Sequence, residues 1–237
     1  MAICNLDLPR QVTGLSLGSP EQLAGELAIT VANALRAAID SRGSAVLVVS
    51  GGRSPVAFFE RLSSQVLDWS KVTVSLADER WVPVSHPDSN EGLVRRHLLQ
   101  GEAARARFFG LYQSAPSVDE SARLAAAALA ELAPIDVLVL GMGEDGHTAS
   151  LFPGSPNLRE ALRADCLQRC LPMLAPSVPR QRLTLTLPLL ASAQLTLLAV
   201  QGQAKLATLA DALAGDDVAE MPIRAFLHRP LEIHWCP

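Results

Sequence analysis

Hydrophobic residues recur along this chain in two alternating spacings, which predict strands followed by helices. Ser19 and Pro20 offer an N-cap and a first-turn proline, and apolar residues then recur at helical spacing until Gly43. The continuous apolar run 45–49 is typical of a strand buried on both faces. Further strands are predicted at 72–76, 136–140, 182–187, 195–200 and 231–235, and further helices at 55–62, 89–99, 119–132 and 203–213.

Strands that alternate with helices favour an α/β fold with a mostly parallel sheet and helices on both faces. The chain has 237 residues, and it shows no repeat, low-complexity linker or break in this alternation. We therefore predict one domain over 1–237. The hydrophobic content of 49% excludes general disorder and supplies enough apolar side chains for a large core.

Charge and targeting signals restrict the class of partner. The formal net charge of −4 argues against a nucleic-acid-binding protein. The N-terminus lacks the pattern of a signal peptide, and the most apolar stretch, 183–200, is interrupted by Pro188 and several polar residues. The four cysteines form no C-x-x-C pair, so neither a zinc site nor a disulfide framework is expected. These features favour a cytoplasmic protein without a membrane partner.

The first of three polar clusters follows the strand 45–49. Gly51 and Gly52 lie between this strand and a proline-started helix, an arrangement that leaves backbone N–H groups free to bind an anion. Arg53 and Ser54 add guanidinium and hydroxyl donors. The spacing is not that of a Walker loop, and a simple strand-to-helix turn is an equally good interpretation of this cluster alone.

The second cluster, Asp78, Glu79 and Arg80, directly follows the strand 72–76. We expect an acidic pair at this place to lie outside the core. Arg80 suits bidentate binding of a phosphate, and Asp78 suits proton transfer or the holding of Arg80. A surface salt bridge is the competing interpretation.

The third cluster follows the strand 136–140 and contains a G-x-G-x-x-G pattern at 141–146. A dinucleotide fingerprint needs a full helix after its third glycine, whereas Pro153 arrives within seven residues, so we reject that interpretation. The turn instead brings Asp145 and His147 to the carboxyl end of a strand, where ligands bind in open α/β sheets. Histidine transfers protons near neutral pH, which makes His147 a candidate catalytic base.

Two later cations complete the candidate site. Arg182 begins a predicted strand, and Lys205 follows a strand-to-helix turn. Each alone is typical of a solvated surface charge. Together with Arg53 and Arg80 they place four cations at predicted strand ends of an acidic protein, which favours a phosphorylated small molecule as the ligand.

These motifs resemble those of the 6-phosphogluconolactonases, within the glucosamine-6-phosphate isomerase/6-phosphogluconolactonase family. The matching segments occur in the same order over nearly the whole chain, and the segment 146–153, Gly-His-Thr-Ala-Ser-Leu-Phe-Pro, is highly specific. They are 51–55, 78–83, 89–90, 141–153, 182–184 and 202–205. The resemblance implies a Rossmann-like α/β domain of the NagB/RpiA/CoA-transferase-like type, similar in fold to glucosamine-6-phosphate deaminase.

The resemblance also implies an activity, the hydrolysis of 6-phosphogluconolactone in the oxidative pentose phosphate pathway, with no metal and no organic cofactor. It implies that His147 is the general base and that Asp78 occupies the position of the deaminases' proton-transfer carboxylate. Asp145 is a candidate for orienting His147, and bracing of the turn is the alternative role for a carboxylate two residues away. The implied ligands of the phosphate or nearby hydroxyls are Gly51, Gly52, Arg53, Ser54, Arg80, Arg182 and Lys205. The implied partner is a phosphorylated sugar lactone, bound by a monomer or a small homo-oligomer.

Two other functions remain as alternatives. The first is a glucosamine-6-phosphate deaminase or aldose–ketose isomerase. Deaminases typically have a carboxylate shortly after the histidine and Tyr at the position of Arg80. The segment 148–153 has no carboxylate, which favours the lactonase. A non-catalytic sugar-phosphate sensor would keep the cations but would not need His147.

Overall fold

The computed structural model describes residues 2–132 and 134–237, and its strands form two sheets. In this part of the chain the strands are β1 (Val12–Ser16), β2 (Ala45–Val49), β3 (Val72–Leu76), β4 (Asp78–Arg80), β5 (Arg107–Phe109), β6 (Val137–Leu140), β7 (Cys170–Leu174), β8 (Gln181–Leu185), β9 (Leu195–Gln201) and β10 (Leu231–Cys236). The helices are α1 (Pro20–Arg42), α2 (Val56–Ser63), α3 (Asn90–His97), α4 (Val118–Ala128), α5 (Leu158–Leu162), α6 (Leu187–Leu190), α7 (Gln203–Leu213) and α8 (Arg224–Leu227).

Seven strands form a parallel sheet in the order β1-β10-β9-β6-β2-β3-β5. The interior strand β2 pairs with β3 on one side, Ala45 opposite Val72, and with β6 on the other, Leu47 opposite Val137. All five residues of β2 are buried, as expected for a strand covered on both faces. The predicted α/β fold with a mostly parallel sheet is therefore confirmed.

Helix α1 begins and ends where the sequence predicts. The Ser19 hydroxyl accepts a hydrogen bond from the backbone N–H of Gln22, and Gly43 ends the helix in the left-handed region with φ of 81°. Its apolar stripe is buried and packs against the central strands. Among the described residues, no helix is long and apolar enough to span a membrane.

The second sheet, which the sequence analysis did not predict, is antiparallel and has the order β4-β8-β7. Strand β4 has three residues, all of them charged, so neither its length nor its composition indicates a strand. It pairs with β8 and places Arg80 directly opposite Arg182. This sheet therefore joins the second polar cluster to a cation about a hundred residues later in the chain.

Other differences from the prediction lie at the edges of the fold. Strand β1 exposes four of its five residues and β5 has three residues, so neither has the continuous apolar run that marks the central strands. The helix predicted over 119–132 ends at Ala128 and continues as a 3-10 turn over Leu129–Glu131. Helix ends of this kind commonly tighten in their last turn.

Candidate active site

A cavity of about 360 Å³ lies at the carboxyl ends of the neighbouring strands β2, β6 and β9. Because parallel strands end at one edge of the sheet, the loops that follow them meet there. Residues of the small sheet complete its wall. The predicted site residues that line it are Gly51, Gly52, Ser54, Asp78, Arg80, His147, Arg182 and Lys205.

His147 and Asp145 form a close pair beside this cavity. The imidazole Nδ1 lies 2.5 Å from Asp145 Oδ1, and the same carboxylate oxygen accepts the backbone N–H of His147 at 3.2 Å. The His147 side chain is 30% exposed, and its ring contacts Phe152 with 4.5 Å between centroids. The hydrogen bond from His147 holds the pKa of Asp145 below its ordinary value. An ionised carboxylate only accepts, so in a neutral imidazole paired with it Nδ1 carries the proton and Nε2 keeps its lone pair.

Glycine at position 143 permits the close approach of the imidazole. The Gly143 N–H donates to the His147 carbonyl at 2.8 Å and closes the loop. A β-carbon at this position would lie 2.1 Å from His147 Nδ1, far inside contact distance. Gly146 has a different role: its φ of 75° lies in the left-handed region, which glycine adopts without strain and which lets the loop turn before His147.

Arg80 and Arg182 form a pair of like charges in the cavity wall. They lie directly opposite each other on β4 and β8, an arrangement that is destabilising for two cations. Arg182 is 6% exposed, and burial together with the charge of Arg80 lowers the pKa of its guanidinium. In the described part of the chain, the Nε atoms of both side chains are buried without a hydrogen-bond partner. An anion bound between them would offset both the repulsion and the unpaired donors.

The other predicted cations take different places. Lys205 lines the cavity while its Nζ donates to the carbonyl of Met142, so it is tied to the loop that carries His147. Ser54 lines the cavity beside the two glycines of its turn. Arg53 is exposed and lies outside the cavity lining, so this predicted ligand is not brought together with the others.

Asp78 has partners that the sequence analysis did not assign to the site. The Ser150 hydroxyl donates to Asp78 Oδ2 at 2.6 Å, and Asn90 Nδ2 donates to the Asp78 carbonyl at 2.9 Å. Asn90 lines the cavity and packs so closely on Gly51 that a β-carbon there would lie 2.0 Å from Asn90 Oδ1. Both residues stand in matching motifs, Ser150 within 146–153 and Asn90 after Ser89. That position is the signal that could have identified them.

The expectation that the acidic pair lies outside the core is wrong, because Asp78 is 7% exposed and Glu79 is fully buried. Its carboxylate accepts the N–H groups of Arg80, Asn90 and Glu91, each at 2.7 Å, and the Ser89 hydroxyl at 3.1 Å. Burial raises its pKa to about 7, although the N–H groups oppose this shift. The physical reason for its position is that it satisfies free N–H groups at the start of α3. Glu79 thereby fixes Asn90 in the cavity wall.

Residues 2–132 and 134–237 contain no group of three or more His, Cys, Asp or Glu side chains arranged to hold a metal ion. The polar groups that face the cavity are instead cations, hydroxyls, amides, one carboxylate and one imidazole. This donor set suits an organic anion that carries hydroxyl groups.

Comparison with known proteins identifies the family. Two relatives called 6-phosphogluconolactonase cover all of this chain: one from Pseudomonas putida, 62% identical over 98% of its own length, and one from Pseudomonas aeruginosa, 63% identical over 100%. The crystal structure of a 6-phosphogluconolactonase from Shewanella baltica OS155 is 40% identical, with a TM-score of 0.93 over 97% of this chain and 100% of its own.

A structure of a monomeric glucosamine-6-phosphate deaminase, 18% identical, covers 94% of this chain and 97% of its own with a TM-score of 0.78, a likeness of fold alone. The model of one family, described as glucosamine-6-phosphate isomerases/6-phosphogluconolactonase, matches residues 18–235. The chain therefore belongs to the glucosamine-6-phosphate isomerase/6-phosphogluconolactonase family.

Proposed function

We propose that this protein hydrolyses 6-phospho-D-glucono-1,5-lactone to 6-phospho-D-gluconate, as a step of the oxidative pentose phosphate pathway. The relatives that are 62% and 63% identical over the whole chain carry the name of this activity. The observation that carries the proposal is the placement of Arg80, which is half-buried, and Arg182, which is buried, in the wall of the same cavity that His147 lines. A phosphorylated lactone needs both features, a cationic site and a base.

In the proposed mechanism, His147 Nε2 takes a proton from a water molecule as the water oxygen attacks the lactone carbonyl carbon. The C=O π electrons move to the carbonyl oxygen and give a tetrahedral oxyanion. When the carbonyl re-forms, the bond from carbon to the ring oxygen breaks, and the imidazolium returns the proton to that oxygen. Asp145 keeps the proton on Nδ1 and stabilises the imidazolium.

The cations serve binding in this proposal. Arg80 and Arg182 hold the 6-phosphate, with Lys205 and the turn at Gly51, Gly52 and Ser54 as further donors. Asp78 lies in the same wall with one oxygen bonded to Ser150, so its other oxygen is suited to accept a substrate hydroxyl. The phosphate anchors the sugar so that its carbonyl carbon lies near His147.

Deaminase or isomerase activity fits the site less well. Such chemistry moves a proton between adjacent carbons and uses a carboxylate close to the histidine. The segment 148–153 that follows His147 has no carboxylate. It contains Ser150, whose hydroxyl donates to Asp78. The assay below therefore also measures deaminase activity, and binding without any catalysis would indicate a sensor.

The test uses purified protein and freshly prepared lactone, with proton release followed against spontaneous hydrolysis. We expect strong acceleration, and no ammonia from glucosamine-6-phosphate. His147→Ala should lower kcat by roughly 10²–10⁴-fold with little change in KM, because general-base catalysis acts on the transition state.

His228→Ala is the matched control, because His228 is exposed and lies outside the cavity lining. Its kcat should equal that of the wild type. Absence of lactone hydrolysis by the wild type would refute the proposed function. Full activity of the His147 variant would refute only the assignment of the base.

A further inference from the structure

The loop 141–147, which carries His147, is fastened along one side by a distant segment of the chain. Alternate carbonyl groups of the loop, at positions 142, 144 and 146, accept hydrogen bonds from donors between residues 205 and 224. These are Lys205 Nζ to Met142 O, Thr208 Oγ1 to Glu144 O at 3.3 Å, and Ile223 N to Gly146 O at 2.9 Å. The Thr208 hydroxyl is shared with Ala204 O at 3.2 Å, so the bonds from Lys205 and Ile223 are the main fastenings. We call residues 205–224 the C-terminal brace.

The brace also packs against the loop at Gly146. This glycine has φ of 75°, and a β-carbon built on it would lie 2.8 to 3.0 Å from three carbons of the Met221 side chain. Gly146 precedes His147, so a displacement of Met221 or Ile223 acts on the peptide that joins the two residues. The position of the imidazole therefore depends on how the brace itself is held.

Arg224 joins the end of α7 to the later part of the brace. It is 5% exposed, although it is an arginine. Its guanidinium packs on Gly215 and joins the end of α7 to the segment before α8. It donates to Ala212 O at 3.0 Å, Asp217 O at 3.1 Å, Asp211 O at 3.2 Å and Glu220 Oε2 at 2.6 Å. Removal of this side chain would leave three carbonyl groups of the brace without this donor.

We propose that Arg224 is a positioning residue for the catalytic base: by fixing the C-terminal brace, it keeps His147 paired with Asp145 and directed at the substrate. Arg224 lies outside the cavity lining and acts through Met221 and Ile223. Its effect therefore falls on the orientation of the base more than on the phosphate site, because Arg80 and Arg182 belong to the small sheet. Lys205, a further phosphate donor in the proposed function, lies at the start of α7, at the other end of the brace from Arg224.

The kinetic test rests on the proposed function and compares Arg224→Ala with the wild type. We expect kcat for the lactone to fall by about tenfold or more, since displacements near 1 Å can cost about 10²-fold, while KM and inhibition by inorganic phosphate stay within twofold. Met221→Ala, which keeps Arg224, should lower kcat in the same direction by a smaller factor. It provides a second test if the Arg224 variant fails to fold.

A spectroscopic test is independent of the activity. The carboxyl ¹³C resonance of Asp145, assigned with Asp145→Asn, reports the pKa of that group. The hydrogen bond from His147 lowers this pKa, so loosening of the pair in Arg224→Ala or Met221→Ala should move it up toward the ordinary value.

Leu35→Ala is the control, because Leu35 lies in the core on α1 and its truncation destabilises the protein away from the brace. This variant should leave the Asp145 resonance and its pKa as in the wild type. A shift of equal size in Leu35→Ala, or an unchanged Asp145 pKa in both brace variants, would overturn the positioning role. If the wild type hydrolyses no lactone, the proposed function fails while the spectroscopic test still decides on the brace.

Discussion

Gly143→Ala should displace the base without adding or removing any charged group. A β-carbon at position 143 would lie 2.1 Å from His147 Nδ1 and 2.6 Å from Asp145 Oδ1, whereas ordinary contact begins at 3.4 Å. The imidazole must therefore retreat by more than 1 Å, and its bond to Asp145 must break or shift. Misplacement of a catalytic group by 1 Å can cost about 10²-fold, so we expect kcat to fall by roughly that factor.

The assay is lactone hydrolysis over a range of substrate concentrations, so that kcat and KM are obtained separately. KM should change little, because the phosphate-facing cations lie on other elements. Gly141→Ala is the comparison, since a β-carbon there has no atom within 4 Å. The loss in kcat should be at least tenfold greater for Gly143→Ala. Equal losses of kcat in the two variants would refute the idea that Gly143 is needed for the close approach of the imidazole.

Three further predictions concern charged groups. The pKa of Asp145 is lower in the folded than in the unfolded state, so its pairing stabilises the fold at pH values above the unfolded pKa. This stabilisation is lost as the pH falls through the folded pKa. In Asp145→Asn, the Tm measured by thermal unfolding should therefore fall less steeply with decreasing pH than in the wild type. The pKa of Glu79 is raised from 4.5 to about 7, so stability should fall by roughly 3 kcal/mol as pH rises through this interval, and Glu79→Gln should abolish that slope in chemical unfolding. Arg80→Ala should raise KM for the lactone by tenfold or more and leave kcat within a few-fold; a change in kcat alone would contradict a phosphate contact.

The central fold could be predicted because its elements follow local rules. The buried strand β2 is a continuous apolar run, and helix α1 carries its cap, its apolar stripe and its terminal glycine in the sequence. The small sheet could not be predicted in this way. Strand β4 consists of Asp78, Glu79 and Arg80, and what makes it a strand is pairing with β8, a contact between distant segments that no local pattern contains.

Some residues of the candidate site could likewise be predicted from local patterns, and others could not. Residues that follow the ends of parallel strands, such as His147 and Ser54, could be expected at one edge from the alternation of elements alone. Glu79 was misjudged because a carboxylate after a strand is usually solvated, whereas here it meets the free N–H groups of α3. Arg224 could not be predicted from the sequence, because its partners are mostly backbone carbonyl groups, which no residue pattern indicates.

The pair Arg80 and Arg182 is better explained by binding than by stability. Two cations opposite each other on neighbouring strands repel, and the burial of Arg182 adds a desolvation cost. The charges of nearby carboxylates oppose these effects only in part, since the pKa of Arg182 is still lowered. A fold selected for stability alone would place apolar or oppositely charged residues there. In the proposed function, a dianion bound by the pair would relieve this repulsion, and the small sheet keeps both side chains in place for it. His147 lies on a separate loop fastened by residues 205–224, so binding at the pair would not require the base to move.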